Sequence, residues 1–217
     1  MKAINFISIV TLILFCPFSL KGQNTINEGV FKPLVQDFSR DDSWLIYSKF
    51  YRNNPNQTVL YHQPSHKIIS ALSQSARFFN QDEIVQFKND SLSIKNINLE
   101  DLFSISDVIK YELWLNKTDI IAKTKQNEVF FIDKHKKIWN QFSYVVNYEI
   151  DKLSEKILVI TSEKKDNVNT FNLFYVDGSL KQTIKIGSFT TQPQVLNSGN
   201  NNNRFLIRVD NKEIGRA

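Results

Sequence analysis

Tyr111 to Trp139 reads YELWLNKTDIIAKTKQNEVFFIDKHKKIW. An apolar run ends at Leu115, a polar turn follows at Asn116-Lys117-Thr118, and a second apolar run begins at Ile120-Ile121-Ala122. A Lys/Gln/Asn-rich gap leads to Val129-Phe130-Phe131-Ile132, then a charged turn leads to Ile138-Trp139. Each run is short, β-branched or aromatic, and bounded by turn residues, which is the pattern of strands and hairpins. Four such strands in succession predict one antiparallel sheet.

The plan recurs along the chain. An apolar residue followed by Ser, Asn or Asp, a polar turn and a new apolar run occurs at Phe38-Ser39, Phe79-Asn80, Leu115-Asn116, Ile150-Asp151 and Leu196-Asn197. The Ser/Asn/Asp positions step by 41, 36, 35 and 46 residues. Four strands per period of roughly 40 residues is the signature of a β-propeller. A two-sheet sandwich also spaces its strands closely but lacks the longer period. The third strand recurs as Thr58–Tyr61, Ser91–Ile94, Val129–Ile132 and Leu173–Val176, and the last two are followed by Asp133 and Asp177, which suit the opening of a turn.

The predicted fold is therefore all-β: a partial β-propeller of four four-stranded antiparallel blades plus an incomplete fifth. Residues 34–72 form blade one, 73–106 blade two, 107–142 blade three, 143–187 blade four, and 188–217 the unfinished fifth. Leu99 to Lys110 has a competing helical spacing of apolar residues, but strand is the better fit. Lys88-Asn89-Asp90-Ser91 and Asp177-Gly178 are tight-turn signals. Glu163 to Asn169 is expected as a charged hairpin loop. In the fifth unit, Gln194–Leu196 and Phe205–Val209 are strands separated by a run of four Asn, and the tail after Asp210 is too short for two more. Either the N-terminal strand closes a five-bladed ring, or the chain stops inside a larger propeller.

The first 22 residues stand apart. Lys2 precedes an apolar run from Phe6 to Leu20, which is shorter than the ~20 residues that span a bilayer, and Ser19 to Gln23 suits processing. This is the form of a secretory signal peptide, so the expected location is periplasmic or extracellular, with no membrane span. Phe15 and Pro17 around Cys16 argue against a lipidation site. Residues 23–33 read as a leader, with an edge strand expected over Val30–Val35 because of Pro33. Cys16 is the single cysteine of the chain. The part after residue 22 then has no disulfide and depends on its apolar core. That part is long enough to bury one.

The whole chain carries a net charge of +5. Removing residues 1–22 takes away Lys2 and Lys21 and no acid, which leaves 25 basic against 22 acidic side chains. The densest basic spots, His135-Lys136-Lys137 and Lys164-Lys165, each sit beside acids and read as solvated turns. No basic face with interleaved aromatics is evident, so no nucleic-acid partner is expected.

Signals for catalysis are weak. No serine lies between glycines with the spacing of a nucleophile elbow, and there is no phosphate-binding loop. His62 and His66 have a helical metal-ligand spacing, but Pro64 lies between them in a strand-turn. Asp41-Asp42 and Glu100-Asp101 are paired acids in turns; such pairs do acid/base work only where a pocket raises one pKa. Trp44, Trp114 and Trp139 sit in expected strands, where packing between sheets is the better reading than ligand stacking. No catalytic, cofactor-binding or metal-ligating residue is assigned, and no cofactor is expected.

Four segments carry a family resemblance. DDSWLIYSKF followed by TVLYHQPSHK resembles the first propeller blade of the prolyl oligopeptidase family of serine peptidases, with the exported Bacteroidetes branch the nearest. ARFFNQDEIVQFKNDSLSIKNI resembles the next blade, and TSEKKDNVNTFNLFYVDGS a later hairpin. The resemblance covers roughly residues 34–186. It implies a propeller that gates peptide access to an α/β-hydrolase domain. No position here matches that domain, so the resemblance implies a truncated or split relative that is inactive alone. The rival expectation is a stand-alone exported propeller of the TolB or WD40 type that binds a protein or glycan. In both, the partner meets the propeller face, and the blade-initial turns near Ser39, Asn80, Asn116 and Asp151 mark the axial channel.

Overall fold

The computed structural model describes residues 30–51, 55–80, 82–151, 155–165, 167–197, 205–209 and 212–216. The stretch read as a signal peptide, Cys16, most of the leader, and the run 198–204 lie outside them. The described residues are all-β. The first sheet contains β1 (Val30–Phe38), β2 (Trp44–Tyr51), β3 (Gln57–His62) and β4 (Lys67–Leu72); the second contains β5 (Arg77–Phe79), β6 (Glu83–Lys88), β7 (Ser91–Asn96) and β8 (Asp101–Ile105). The third contains β9 (Val108–Trp114), β10 (Asp119–Thr124), β11 (Val129–Ile132) and β12 (Ile138–Phe142). The fourth contains β13 (Val145–Asp151), β14 (Lys156–Lys165), β15 (Val168–Asp177) and β16 (Gln182–Phe189); the fifth contains β17 (Gln194–Asn197), β18 (Phe205–Val209) and β19 (Lys212–Arg216). In every sheet the strands lie in chain order, and each neighbouring pair is antiparallel.

Side chains of a strand alternate between its two faces, and here both faces of the second strands are buried. On β10, Ile120 and Ala122 pack with Val85 and Ile94 of the second sheet, while Ile121 packs with Val145 and Val159 of the fourth. On β6, Ile84 joins Ile46 and Leu60 of the first sheet, while Val85 faces the third. On β14, Ile157 and Val159 face the third sheet, while Leu158 and Ile160 meet Ile207 and Val209 of the fifth. A sandwich buries only one face of each sheet. Sheets wedged between two neighbours in sequence order are propeller blades. Burial then falls off toward the fourth strands: β8 and β16 are largely exposed, and β12 is partly exposed apart from Phe142.

Backbone hydrogen bonds at the junctions between blades recur at a fixed interval. Val108 N donates to Asp90 O (2.9 Å) and Val145 N to Asn127 O (2.7 Å); donors and acceptors both move by 37 residues. Lys125 N donates to Asp107 O (2.8 Å) and Ser162 N to Tyr144 O (2.9 Å), again 37 residues on. All four acceptor residues have positive φ, between 56° and 59°. The first strands repeat in sequence as well: VIKYELW in β9 and VVNYEID in β13.

Several expectations are adjusted. β1 begins at Val30, within the stretch read as a leader, and runs through a register shift around Lys32-Pro33. Proline supplies no N–H there, and β1 lies at the end of its sheet. It belongs to the first sheet, not the fifth. The tail forms a third strand, β19, in the fifth sheet. The hairpin loop expected over Glu163 to Asn169 is shorter than that, because the ladder continues into it: Glu163 pairs with Thr170, Lys164 with Asn169 and Lys165 with Val168. Ladder bonds use the backbone alone, so a solvated ribbon accepts charged side chains. β5 is shorter than expected because Ser75 bonds through its hydroxyl to Phe87 O (2.7 Å) and receives Phe87 N (3.1 Å). The helical alternative at 99–110 is broken by positive φ at Leu99 and Asp107. The turn at Asn89-Asp90 has positive φ at both residues (51° and 57°), as a two-residue hairpin requires.

Stacking through both faces makes the inner strands the dominant source of stability. Ile121→Ala, at a fully buried site, should cost about 2–5 kcal/mol, whereas Ile184→Ala on outer strand β16, 55% exposed, should stay within about 0.5 kcal/mol. Urea unfolding of the two variants checks this.

Candidate functional site

Up-and-down sheets bring the turns after their first and third strands to the same end of the blades. At that end lies an open cavity of about 690 Å³ to which all four complete sheets contribute. The first supplies Phe38 and Arg40, the second Phe78 and Asn80, the third Leu115 to Asp119 with Lys134, and the fourth Glu155, Gly178, Ser179 and Lys181. The turns expected to mark the axial channel are partly the ones found. Asn80 and Asn116 line the cavity, and Ser39 is represented by its neighbours Phe38 and Arg40. Asp151 is still paired in β13 with Lys156, and Glu155, at the end of that turn, takes its place. The YELW/YEID repeat aligns Trp114 with Asp151 and would have located the turn correctly.

The wall on the third sheet is an unusual backbone. Leu115, Asn116 and Lys117 have consecutive φ values of 50°, 53° and 67°. Left-handed backbone is unfavourable for residues with a Cβ, so such a run needs support from its surroundings. Thr118 donates to Leu115 O from both its N–H (3.1 Å) and its hydroxyl (2.7 Å), and Asn80 N donates to Lys117 O (3.0 Å). The Lys117 ammonium reaches the Asp37 carboxylate on β1. The same carboxylate accepts Phe38 N (3.0 Å) and, from the second sheet, Phe78 N (2.9 Å). Asp37 thus ties three sheets together beneath the cavity.

The opposite wall is held by a polar cluster. Asp119 is buried and accepts the Trp139 indole N–H (3.1 Å). Burial holds its carboxyl above the ordinary aspartate range, against the pull of Lys181. Lys181 donates to Asp133 (2.9 Å) and lies 5.8 Å from the centre of the Trp139 ring. Burial works to raise Asp133, but the Lys181 ammonium and the Lys137 and His135 amides outweigh it and hold the carboxyl low. Glu155 accepts the Ser179 hydroxyl (2.8 Å). Gly178 sits so close to Trp114 that a Cβ there would lie 2.4 Å from the indole ring.

The other singled-out residues do not themselves line this cavity. His62 bonds Ser65 (2.6 Å) and stacks 4.3 Å from Trp44, while His66 bonds the Tyr61 hydroxyl (2.7 Å). Asp41 is lowered to about 2 by the Ser39 and then the Ser43 hydroxyls, the wrong direction for a general acid. Glu100 accepts Asn96 (2.6 Å), and Asp101 pairs with Lys95 (2.7 Å). Trp44 and Trp114 are buried in inter-sheet clusters, whereas Trp139 is partly buried and serves Asp119. Lys136, expected in a solvated turn, is instead half-buried in an ion pair with Glu83 that links the third sheet to the second. Among the described residues lining the cavity there is no histidine, and its one serine is held by a carboxylate.

No family model matches this chain, and no curated protein matches it significantly. Similar solved structures include a eukaryotic initiation factor (TM-score 0.47, 11% identity, 85% of this chain and 50% of that one) and the tricorn protease (0.41, 10%, 79% and 19%). BamB from Moraxella catarrhalis is also similar (0.38, 10%, 83% and 75%). The chain spans only about a fifth of the tricorn protease and half of the initiation factor. At this identity and these scores, the propeller assignment rests on the sheet order and packing above.

Two outcomes follow from these contacts. Gly178→Ala forces a methyl group into the buried Trp114 ring and should destabilise the fold by about 1–3 kcal/mol in chemical denaturation. Asp41 has its folded pKa depressed from 3.8 to about 2, so the stability it adds is present above pH 3.8 and lost as pH falls toward 2. Asp41→Asn should lower the melting temperature at neutral pH and flatten its decline over that acid window.

Proposed function

We propose that this chain is a recognition domain, not catalytic by itself, whose turn-face cavity admits peptide segments. The observation that carries this is the cavity's construction. Four blades converge on it: Phe38 and Leu115 supply partly exposed apolar wall, the surrounding turns supply polar groups, and among the described lining residues no nucleophile is paired to a base. The stiff left-handed turn at Leu115–Lys117 and the Asp37 tie favour a preformed site, which limits the ordering cost of binding.

In the finer form of this proposal, the chain is the substrate-gating propeller region of an exported prolyl-oligopeptidase-like peptidase. Its support is the sequence resemblance over roughly residues 34–186 and the signal-like first 22 residues. A stand-alone glycan binder is less well supported, because Trp44 and Trp114 are buried and unavailable for sugar stacking.

Purified chain should show no turnover of peptide p-nitroanilides above buffer. It should bind short apolar peptides in calorimetry, and Ser179→Trp, which fills the mouth, should abolish that binding without lowering the melting temperature. Measurable turnover, or undiminished binding by Ser179→Trp, would overturn the proposal.

A further inference from the structure

The charges around the cavity are not balanced, and the imbalance specifies a ligand chemistry. Arg40, Lys117, Lys134 and Lys181 line it against only Asp119 and Glu155. Four of these six are already engaged by the protein. Lys117 is paired with Asp37, Lys181 with Asp133, Asp119 with the Trp139 indole, and Glu155 with the Ser179 hydroxyl. Arg40 and Lys134 remain: both are exposed, and neither has an ion pair or side-chain hydrogen bond among the described residues. The acids next to Arg40 in sequence do not compete for the cavity. Asp41 is turned onto Ser39 and Ser43, and neither Asp41 nor Asp42 lines the wall.

Two free cations on different blades, beside the partly exposed apolar side chains of Phe38 and Leu115, fit an anion with an apolar neighbour. A guanidinium presents paired donors that match a carboxylate, and an ammonium adds a point charge. We infer that the cavity is a carboxylate site that takes the free C-terminus of a peptide, with Arg40 and Lys134 receiving the carboxylate and the apolar wall receiving the last side chain. This rests on the peptide-binding proposal and narrows it to one end of the peptide. An internal stretch of chain has no such charge, so the site selects termini over loops.

Calorimetry on the full chain separates the possibilities with three probes: Ala-Ala-Phe-Leu with a free carboxylate, the same peptide as its C-terminal amide, and Ala-Glu-Phe-Leu amide. The free acid should bind about tenfold more tightly than its amide. That difference should shrink between about 50 mM and about 500 mM salt. Arg40→Gln and Lys134→Gln should each weaken the acid several-fold, leave the amide unchanged, and melt like the parent chain. Equal binding of acid and amide overturns the carboxylate inference and leaves peptide binding standing. Binding of neither overturns both. The Glu-containing amide binding as tightly as the acid overturns the C-terminal assignment in favour of acidic side chains. Unchanged acid affinity in both variants removes Arg40 and Lys134 from the site.

Discussion

Burial of both faces of the second strands is the constraint on which the molecule depends. A strand such as Ile120-Ile121-Ala122 sends successive side chains in opposite directions, and each direction must find apolar cover. One flat partner sheet would cover only half of them. A neighbour on either side covers both, and the neighbours available at the shortest chain distance are the sheets just before and just after. Blade order, blade contact and the exposed outer strands all follow from that need. The same requirement leaves the outer strands exposed: β16 pairs with β15 alone and is largely exposed along its length.

Apolar stacking sets which sheets touch but does not pin their relative height. The backbone bonds at 37-residue intervals do that: Val108 N to Asp90 O and Val145 N to Asn127 O cross from one blade to the blade before it, while Lys125 N to Asp107 O and Ser162 N to Tyr144 O hold the residue entering a blade against that blade's own strands or turns. Asp37 adds a tie that skips a blade. It joins β1 to Phe78 in the second sheet and to Lys117 in the third, near where the first strands converge. Lys136 with Glu83 and Lys181 with Asp133 repeat the idea farther out, each reaching from one blade's last turn to the blade before it. These charges are partly shielded from water, so the pairs position the turns more firmly than fully exposed pairs would. The cavity is the open space between those positioned turns.

Much of the fold was legible in the residues because strand and turn signals are local. Asn89-Asp90 and Asp177-Gly178 fall where turns occur, and the third strands end at Asp133 and Asp177, whose carboxylates accept the turn amides. The site was legible only in outline. Asn80 and Asn116 were marked as axial turns, yet Arg40, Lys134 and Gly178 carry no local signal that separates them from any other turn residue. Glu163-Lys164-Lys165 misled in the opposite sense: their polarity reads as a loop, while the backbone continues the ladder. The equivalence of Leu115-Asn116 with the turn after Asp151 was misplaced by two residues because an apolar-polar pair recurs there by chance. The longer YELW/YEID match resolves it.

The amino-acid sequence by itself determined the succession of short strands, their grouping in fours and the turns between them, because these arise from contacts between residues close along the chain. Only the tertiary structure decided which charges are neutralised and which remain free. Lys117 and Asp37 are 80 positions apart, and Lys181 and Asp133 are 48 apart. No local pattern announces such pairs, since they form when stacked blades bring distant turns together. What is left over after that pairing, Arg40 and Lys134 beside an apolar wall, is a property of the assembled face.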